Sequence, residues 1–176
     1  MSTYRGWYLS LAAFLLVAGP LPAQESAPPL KMIYAVWKDT SGAASTVKHM
    51  TKDAKDMVQA YAVLIKDSTG KVEVRQRHNQ AGGSVAALQA SQVVDTAIAR
   101  LSAPLPTAAD SASGYAPSGT ARRLSDEDLK KIHGMFNPGE SALILMSAKP
   151  DVSQIERTLG LGAQSNAEIV ELEVKQ

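Results

Sequence analysis

The residues of this chain best suited to chemistry are Arg75, Arg77 and His78, followed by Gly82-Gly83 and by Ser84, a serine that can start a helix. Guanidinium groups beside the free backbone N–H groups of a helix start are the ingredients of an anion-binding site. A simpler account of the same residues is an exposed strand edge guarded by charge, with the glycines allowing the chain to bend. The histidines His49, His78 and His133 show no paired spacing such as H-x-x-x-H. The chain has no cysteine, which excludes disulfides and thiolate metal sites. His49 and Asp53 fall one helical turn apart, and a surface pair explains them more simply than two metal ligands. His133 borders an apolar stripe and reads as a half-buried core histidine. Gly139-Glu140-Ser141-Ala142-Leu143 has Leu143 where a nucleophile elbow needs its second glycine, and its serine opens a strand instead of ending one. Gly70-Lys71 lacks both the upstream glycine and the following Ser or Thr of a phosphate loop. No catalytic residue, metal site or cofactor is assigned on these grounds.

The elements that would position these residues follow from hydrophobic period. Leu30 to Trp37 reads as a strand with apolar residues on both faces, hence a central one. A helix is expected near residues 46–59, with Val47, Met50, Ala54, Met57 and Val58 recurring at helical spacing. Tyr61 to Ile65, the turn Asp67-Ser68-Thr69-Gly70 and Lys71 to Arg77 form a hairpin. In its second strand Val72 and Val74 alternate with Glu73, Arg75 and Arg77, which predicts one wet face. A helix over 84–101 carries Val85, Leu88, Ala90, Val94, Ala97, Ile98 and Leu101, interrupted by too many polar residues to span a membrane. Residues 103–120, rich in Ala, Pro, Ser, Thr and Gly, bury too little apolar surface to offset their ordering entropy and read as a mobile loop.

The second half carries clearer local signals. Ser125 and Asp128 make an S-x-x-D helix start, and Leu124 and Leu129 occupy the positions of a hydrophobic staple. The helix is expected to run to Phe136, where Asn137-Pro138-Gly139 ends it. Ser141 to Ala148 is a buried strand. Pro150-Asp151 opens a short helix ended by Gly160, and Ala167 to Val174 is a strand with Glu171 and Glu173 outward. The element order implies an α+β domain over 30–176, a ferredoxin-like sandwich. It would hold two strand–helix–strand units plus a hairpin, with the helices packed on one sheet face.

Two segments resemble a known family. Tyr61-Ala62-Val63-Leu64-Ile65-Lys66-Asp67 with Gly70-Lys71-Val72 is similar to the K-D-x-x-G-K hairpin of an uncharacterised bacterial family of predicted membrane-associated proteins. Leu124-Ser125-Asp126-Glu127-Asp128-Leu129 through Pro138-Gly139-Glu140-Ser141-Ala142-Leu143 resembles that family's acidic helix start and P-G-x-S-A-L strand entry. These motifs are a turn, a cap and a strand, so the resemblance implies a fold and no catalytic residues. Family members carry a Gly-rich hydrophobic hairpin where this chain has the polar-studded helix 84–101 and the loop 103–120. The resemblance therefore implies a relative without the membrane insert.

The first 23 residues read as an export signal. Arg5 precedes an apolar run from Trp7 to Ala18, too short for the ~20 residues of a comfortable span, and Leu21-Pro22-Ala23 offers a small residue for cleavage. Residues 24–29 are then a leader. Taking Arg5 away from 18 basic and 17 acidic residues leaves the mature chain without net charge. Nucleic acid is an unlikely partner for such a neutral surface. With only Phe14 and Phe136 as phenylalanines, the core must be aliphatic.

The combined expectation is an exported, non-enzymatic binding domain in the periplasm or the medium, with a protein or small molecule as its partner. The alternatives are an envelope hydrolase holding an anionic substrate with Arg75 and Arg77, and peripheral membrane contact through 84–101. The N-terminal mass of the native protein tests the first premise. A chain starting at Gln24 in the soluble fraction is expected, whereas Met1 in the membrane pellet would make residues 7–18 an anchor.

Overall fold

The computed structural model describes residues 29–50, 52–80, 84–103, 124–148, 156–157, 160 and 166–175. The elements are β1 (Lys31–Trp37), α1 (Gly42–Lys48), α2 (Lys52–Met57), β2 (Ala60–Lys66), β3 (Val72–Asn79), α3 (Val85–Ser102), α4 (Asp126–Met135), β4 (Ser141–Ser147) and β5 (Ala167–Glu173). The expected signal peptide, the loop 103–120 beyond Ala103, and Gly82 and Gly83 lie outside the described residues. So does most of the helix expected after Pro150, of which Glu156 and Arg157 are helical.

The strands form one five-stranded sheet in the order β3-β2-β4-β1-β5, every neighbouring pair antiparallel. The centre of this sheet is apolar on both sides, as expected for a strand rich in Ile, Val and Leu in both phases. Met32, Tyr34 and Val36 of β1 join Ala142, Ile144 and Met146 of β4 in one core, under α3 and α4. Ile33, Ala35 and Trp37 join Leu143 and Leu145 in a second core, under α1 and α2. Helices therefore cover both faces. This corrects the expectation of helices on one face, and the cause is the sequence of β1 and β4 itself: a strand apolar in both phases would leave half its side chains in water under a single helical layer.

The helix expected near 46–59 is two shorter helices. His49 caps α1, with its ring Nδ1 2.8 Å from the Ser45 carbonyl, and the Met50 N–H turns back to the Val47 carbonyl at 3.2 Å. The break lets Val47, Met50, Ala54 and Met57 all reach the sheet. It also removes the helical spacing that related His49 to Asp53. Gly42, the first residue of α1, lies against Trp37, and a Cβ there would overlap the indole.

The helix start at Ser125 and the turn after Phe136 form as read. Ser125 Oγ accepts from the Asp128 N–H at 3.0 Å, Leu124 is buried, and α4 buries Ile132. At its other end Lys66 Nζ donates to the Phe136 carbonyl at 2.8 Å, a cation placed at a helix C-terminus. The Gly139 N–H donates to the Lys66 carbonyl at 2.8 Å, with Gly139 at φ +86°. These contacts deliver the chain into β4.

All seven residues of β4 are buried, including two serines. Each serine meets one end of the helical pair on its face. Ser141 Oγ accepts from the Ala43 N–H at the start of α1, at 3.1 Å. Ser147 Oγ donates to the Met57 carbonyl at the end of α2, at 2.9 Å. Helix ends carry such unsatisfied groups by construction. Replacing Ser141 by Ala strands the buried Ala43 N–H, and urea denaturation is expected to show a loss of about 1–3 kcal/mol; an unchanged midpoint would mean that the serine does not anchor α1.

Candidate functional site

The residues singled out in the sequence meet β3, which pairs with β2 at the edge of the sheet. A bulge divides this strand: Val63 pairs with Gln76 and Leu64 with Val74, so Arg75 is the extra residue. Beyond a bulge the alternation of faces is reset. Arg77 consequently stands opposite Ala62 on the α3 face, while Gln76 and His78 stand on the α2 face with Val63 and Tyr61. The single wet face expected for this strand becomes a strand exposed from Val74 to Asn79.

Each candidate has its own neighbour. Arg77 reaches both oxygens of the Asp95 carboxylate and donates to Ser91 Oγ at 2.9 Å. Arg75 lies 3.2 Å from the Glu73 carboxylate. His78 stacks on Tyr61 with ring centroids 5.2 Å apart, and Gln76 Nε2 donates to the Tyr61 hydroxyl at 2.9 Å. Arg77 and His78 thus point to opposite faces. The helix start at Ser84 is capped internally, with Ser84 Oγ accepting from the Ala87 N–H at 3.1 Å, and Gly82 and Gly83 lie outside the described residues.

The opposite edge, β5, has a different character. Its seven pairs with β1 run without a register shift. Leu172 is buried and Val170 half-buried toward α4, while Ala167 and Ile169 pack on the other face. Glu168, Glu171 and Glu173 are exposed, and among the described residues none of them forms an ion pair. Glu171 stands opposite Ile33, and Glu173 opposite Lys31. Partial burial of Glu156, and then the charge of Glu171, push the Glu156 pKa above the usual carboxylate value.

An open hollow of about 510 Å³ lies at the start of β5, between Val36, Lys38, Met135, Glu140, Asn166 and Glu168. Asn166 enters the strand at φ +50°, an uncommon conformation that asparagine tolerates better than most residues. Glu140 is spent on the turn before β4, its Oε2 accepting from the Asn137 N–H at 2.7 Å. Burial and the Glu140 charge together raise the pKa of the Tyr34 phenol well above its ordinary value. Tyr34 therefore stays protonated beneath α4.

The edge position of β5 was missed because sequence alternation shows which residues point outward but not which strand ends the sheet. Among the described residues no group of three or more His, Asp or Glu is gathered to hold a metal ion. None of the described helices is long and apolar enough to cross a membrane. Comparison with protein-family models, with curated proteins and with solved structures finds no match to this chain.

The acidic face of β5 has a direct test in carboxyl titration by NMR. A folded pKa above the unfolded one means that Glu156 favours the native state at low pH, and that this contribution is lost as pH rises through the folded pKa. Glu156 is expected to titrate above 4.5. Glu171→Gln is expected to move it part of the way down, leaving the share that burial supplies. A Glu156 midpoint unaffected by Glu171→Gln would separate the two groups.

Proposed function

We propose that this chain is an exported, non-enzymatic binding domain at the cell envelope, which engages its partner through an edge of its sheet. The observation that carries this reading is the contrast between faces and edges. Helices close both faces of the sheet, whereas among the described residues β5 ends it as a regular strand lined with carboxylates. Strand edges of this kind are templates for added strands. The apolar run and small cleavage-site residue of the first 23 residues support export.

The hydrolase alternative rests on Arg75 and Arg77 as holders of an anion. Both guanidinium groups already face carboxylates, those of Glu73 and Asp95, so an anion would have to displace them. Membrane contact through 84–101 rests on the apolar residues of α3. Six of its side chains, among them Val93, Val94 and Leu101, are buried in the core, and lifting large side chains of this kind into a membrane forfeits roughly 1.5–3 kcal/mol each. Val85 and Leu88, exposed by 62% and 58%, remain as the only large apolar side chains α3 offers to a membrane among the described residues.

We read the fold as a ferredoxin-like core into which β3, α3 and α4 are inserted. With β3 set aside, the order β5-β1-β4-β2 and its antiparallel neighbours support that reading. The Lys66-Asp67 hairpin and the Pro138-Gly139 strand entry support kinship with the membrane-associated bacterial family named above.

The test is retention from envelope extract on the immobilised chain, run beside a panel of ester, phosphoester and glycoside substrates. One partner retained saturably at fixed stoichiometry, without turnover, is the expected result. Turnover that disappears in Arg75→Ala or Arg77→Ala would establish the hydrolase instead. Flotation with liposomes that disappears in Leu88→Glu would establish the membrane reading.

A further inference from the structure

We propose that the outer edge of β3 pairs with the β3 edge of a second copy of this chain, antiparallel and centred on Val74, so that the two sheets become one. This inference goes beyond the binding reading above and does not depend on the partner sought there.

The backbone of β3 is available where such pairing needs it. The Lys66 N–H donates to the Glu140 carbonyl at 3.0 Å, and the Lys66 carbonyl accepts from the Gly139 N–H at 2.8 Å. Lys66 thus turns both backbone groups away from β3. Val72, directly across the ladder from it, therefore turns its own to the outer side. Val74, two residues on and before the bulge, repeats that orientation opposite Leu64. Among the described residues β3 ends the sheet, and every residue from Val74 to Asn79 is exposed. Val74 stands on the α3 face with Leu64, yet α3 leaves it 46% exposed.

Side chains make this edge complementary to itself. Val74 lies between an acid and a base, Glu73 and Arg75, whose 3.2 Å ion pair shows that they share a face. A two-fold axis through Val74 sets this residue against its own copy. It also brings Glu73 of each chain opposite Arg75 of the other, so that two ion pairs become a ring of four charges. Moving the axis by one residue either way sets Glu73 against Glu73 or Arg75 against Arg75, and like charges directly opposite repel. The exchange of ion pairs adds little free energy, because the existing pair is exposed. Its effect is to select the register and reject other strands. The attraction comes from the backbone ladder and from covering Val74.

The bulge sets the strength of the contact. Bulges and charges discourage long, straight strands from adding to an edge. Here the extra residue, Arg75, follows Val74 directly, so the Val72–Val74 half of each chain meets the bulged half of the other. Arg77 keeps its bonds to Asp95 and Ser91 on α3. The shared ladder is short, and the dimer is accordingly weak and reversible.

The test is sedimentation equilibrium of the purified chain from about 0.01 to 1 mM, the range in which small interfaces dissociate, with amide hydrogen exchange followed by NMR. Mass is expected to rise from one copy to two and no further. Exchange of the Val74 amide should slow in step, since its N–H gains an acceptor. Glu73→Arg and Arg75→Glu should each weaken the dimer about tenfold or more by setting like charges opposite one another, while keeping the melting curve of the parent. An equimolar mixture of these two variants should associate again, because every Arg of one then meets a Glu of the other. The double exchange Glu73→Arg, Arg75→Glu should dimerise like the parent.

A single-copy mass throughout the range would overturn the proposal, and growth beyond two copies would overturn the two-fold pairing. A dimer that neither single variant weakens, or that forms while the Val74 amide exchanges at its monomer rate, would place the contact on another surface. Failure of both the mixture and the double exchange to associate would refute the Glu73–Arg75 register.

Discussion

The rest of the fold answers to the burial of β4. A seven-residue strand with no residue in contact with solvent must be apolar on both faces, and its backbone must be paired on both sides. β1 and β2 supply the pairing, and two helical layers supply the cover. The strand tolerates polar side chains only at its ends, Ser141 and Ser147, where the hydroxyls meet a buried helix-end amide of α1 and a buried helix-end carbonyl of α2. The same bonds that satisfy the serines set the helical pair along the strand. An apolar residue at either position would bury the same volume and lose that registration.

Delivery of the chain into such a strand is itself constrained. Asn137-Pro138-Gly139 must end α4, turn, and present Ser141 opposite both Trp37 and Ile65. Lys66 holds the turn from the β2 side through its side-chain amine, its N–H and its carbonyl. Glu140 holds it from within by accepting from the Asn137 N–H. With its lone pairs engaged there and its charge set against the buried Tyr34 hydroxyl, Glu140 is best understood as part of the turn. The adjacent hollow owes its shape to this arrangement.

What the sequence made legible were features of short range. The S-x-x-D cap at Ser125, the Asp67–Gly70 turn and the double-sided apolar character of β1 and β4 each depend on residues within one element, and each formed as read. The break at His49 was hidden because Val47, Met50, Ala54 and Met57 keep helical spacing across it. The placement of helices on both faces was already implied by the pattern of β1, yet the expectation of a single helical layer overrode it. The bulge at Arg75 left no mark in the alternation of Val72, Glu73, Val74 and Arg75. That one inserted residue is what carries Arg77 to α3 and His78 to Tyr61, so a run of basic residues that looks like one cluster becomes two separate neighbourhoods.

Strand order is the least legible property, and it decides which of the described strands lie at the edges of the sheet. β3 and β5 both carry exposed charge, and from the sequence alone the basic strand attracts more attention. In the sheet, the basic edge is bent and neutralised by Glu73 and Asp95, while the acidic edge is straight and has Lys31 as its cross-strand cation. A cation placed at a compensated edge gains little, because exposed ion pairs already formed are worth about 0–1 kcal/mol. The neighbourhood of each charge in this fold is thus set less by its residue type than by what the adjoining strand and helix place beside it.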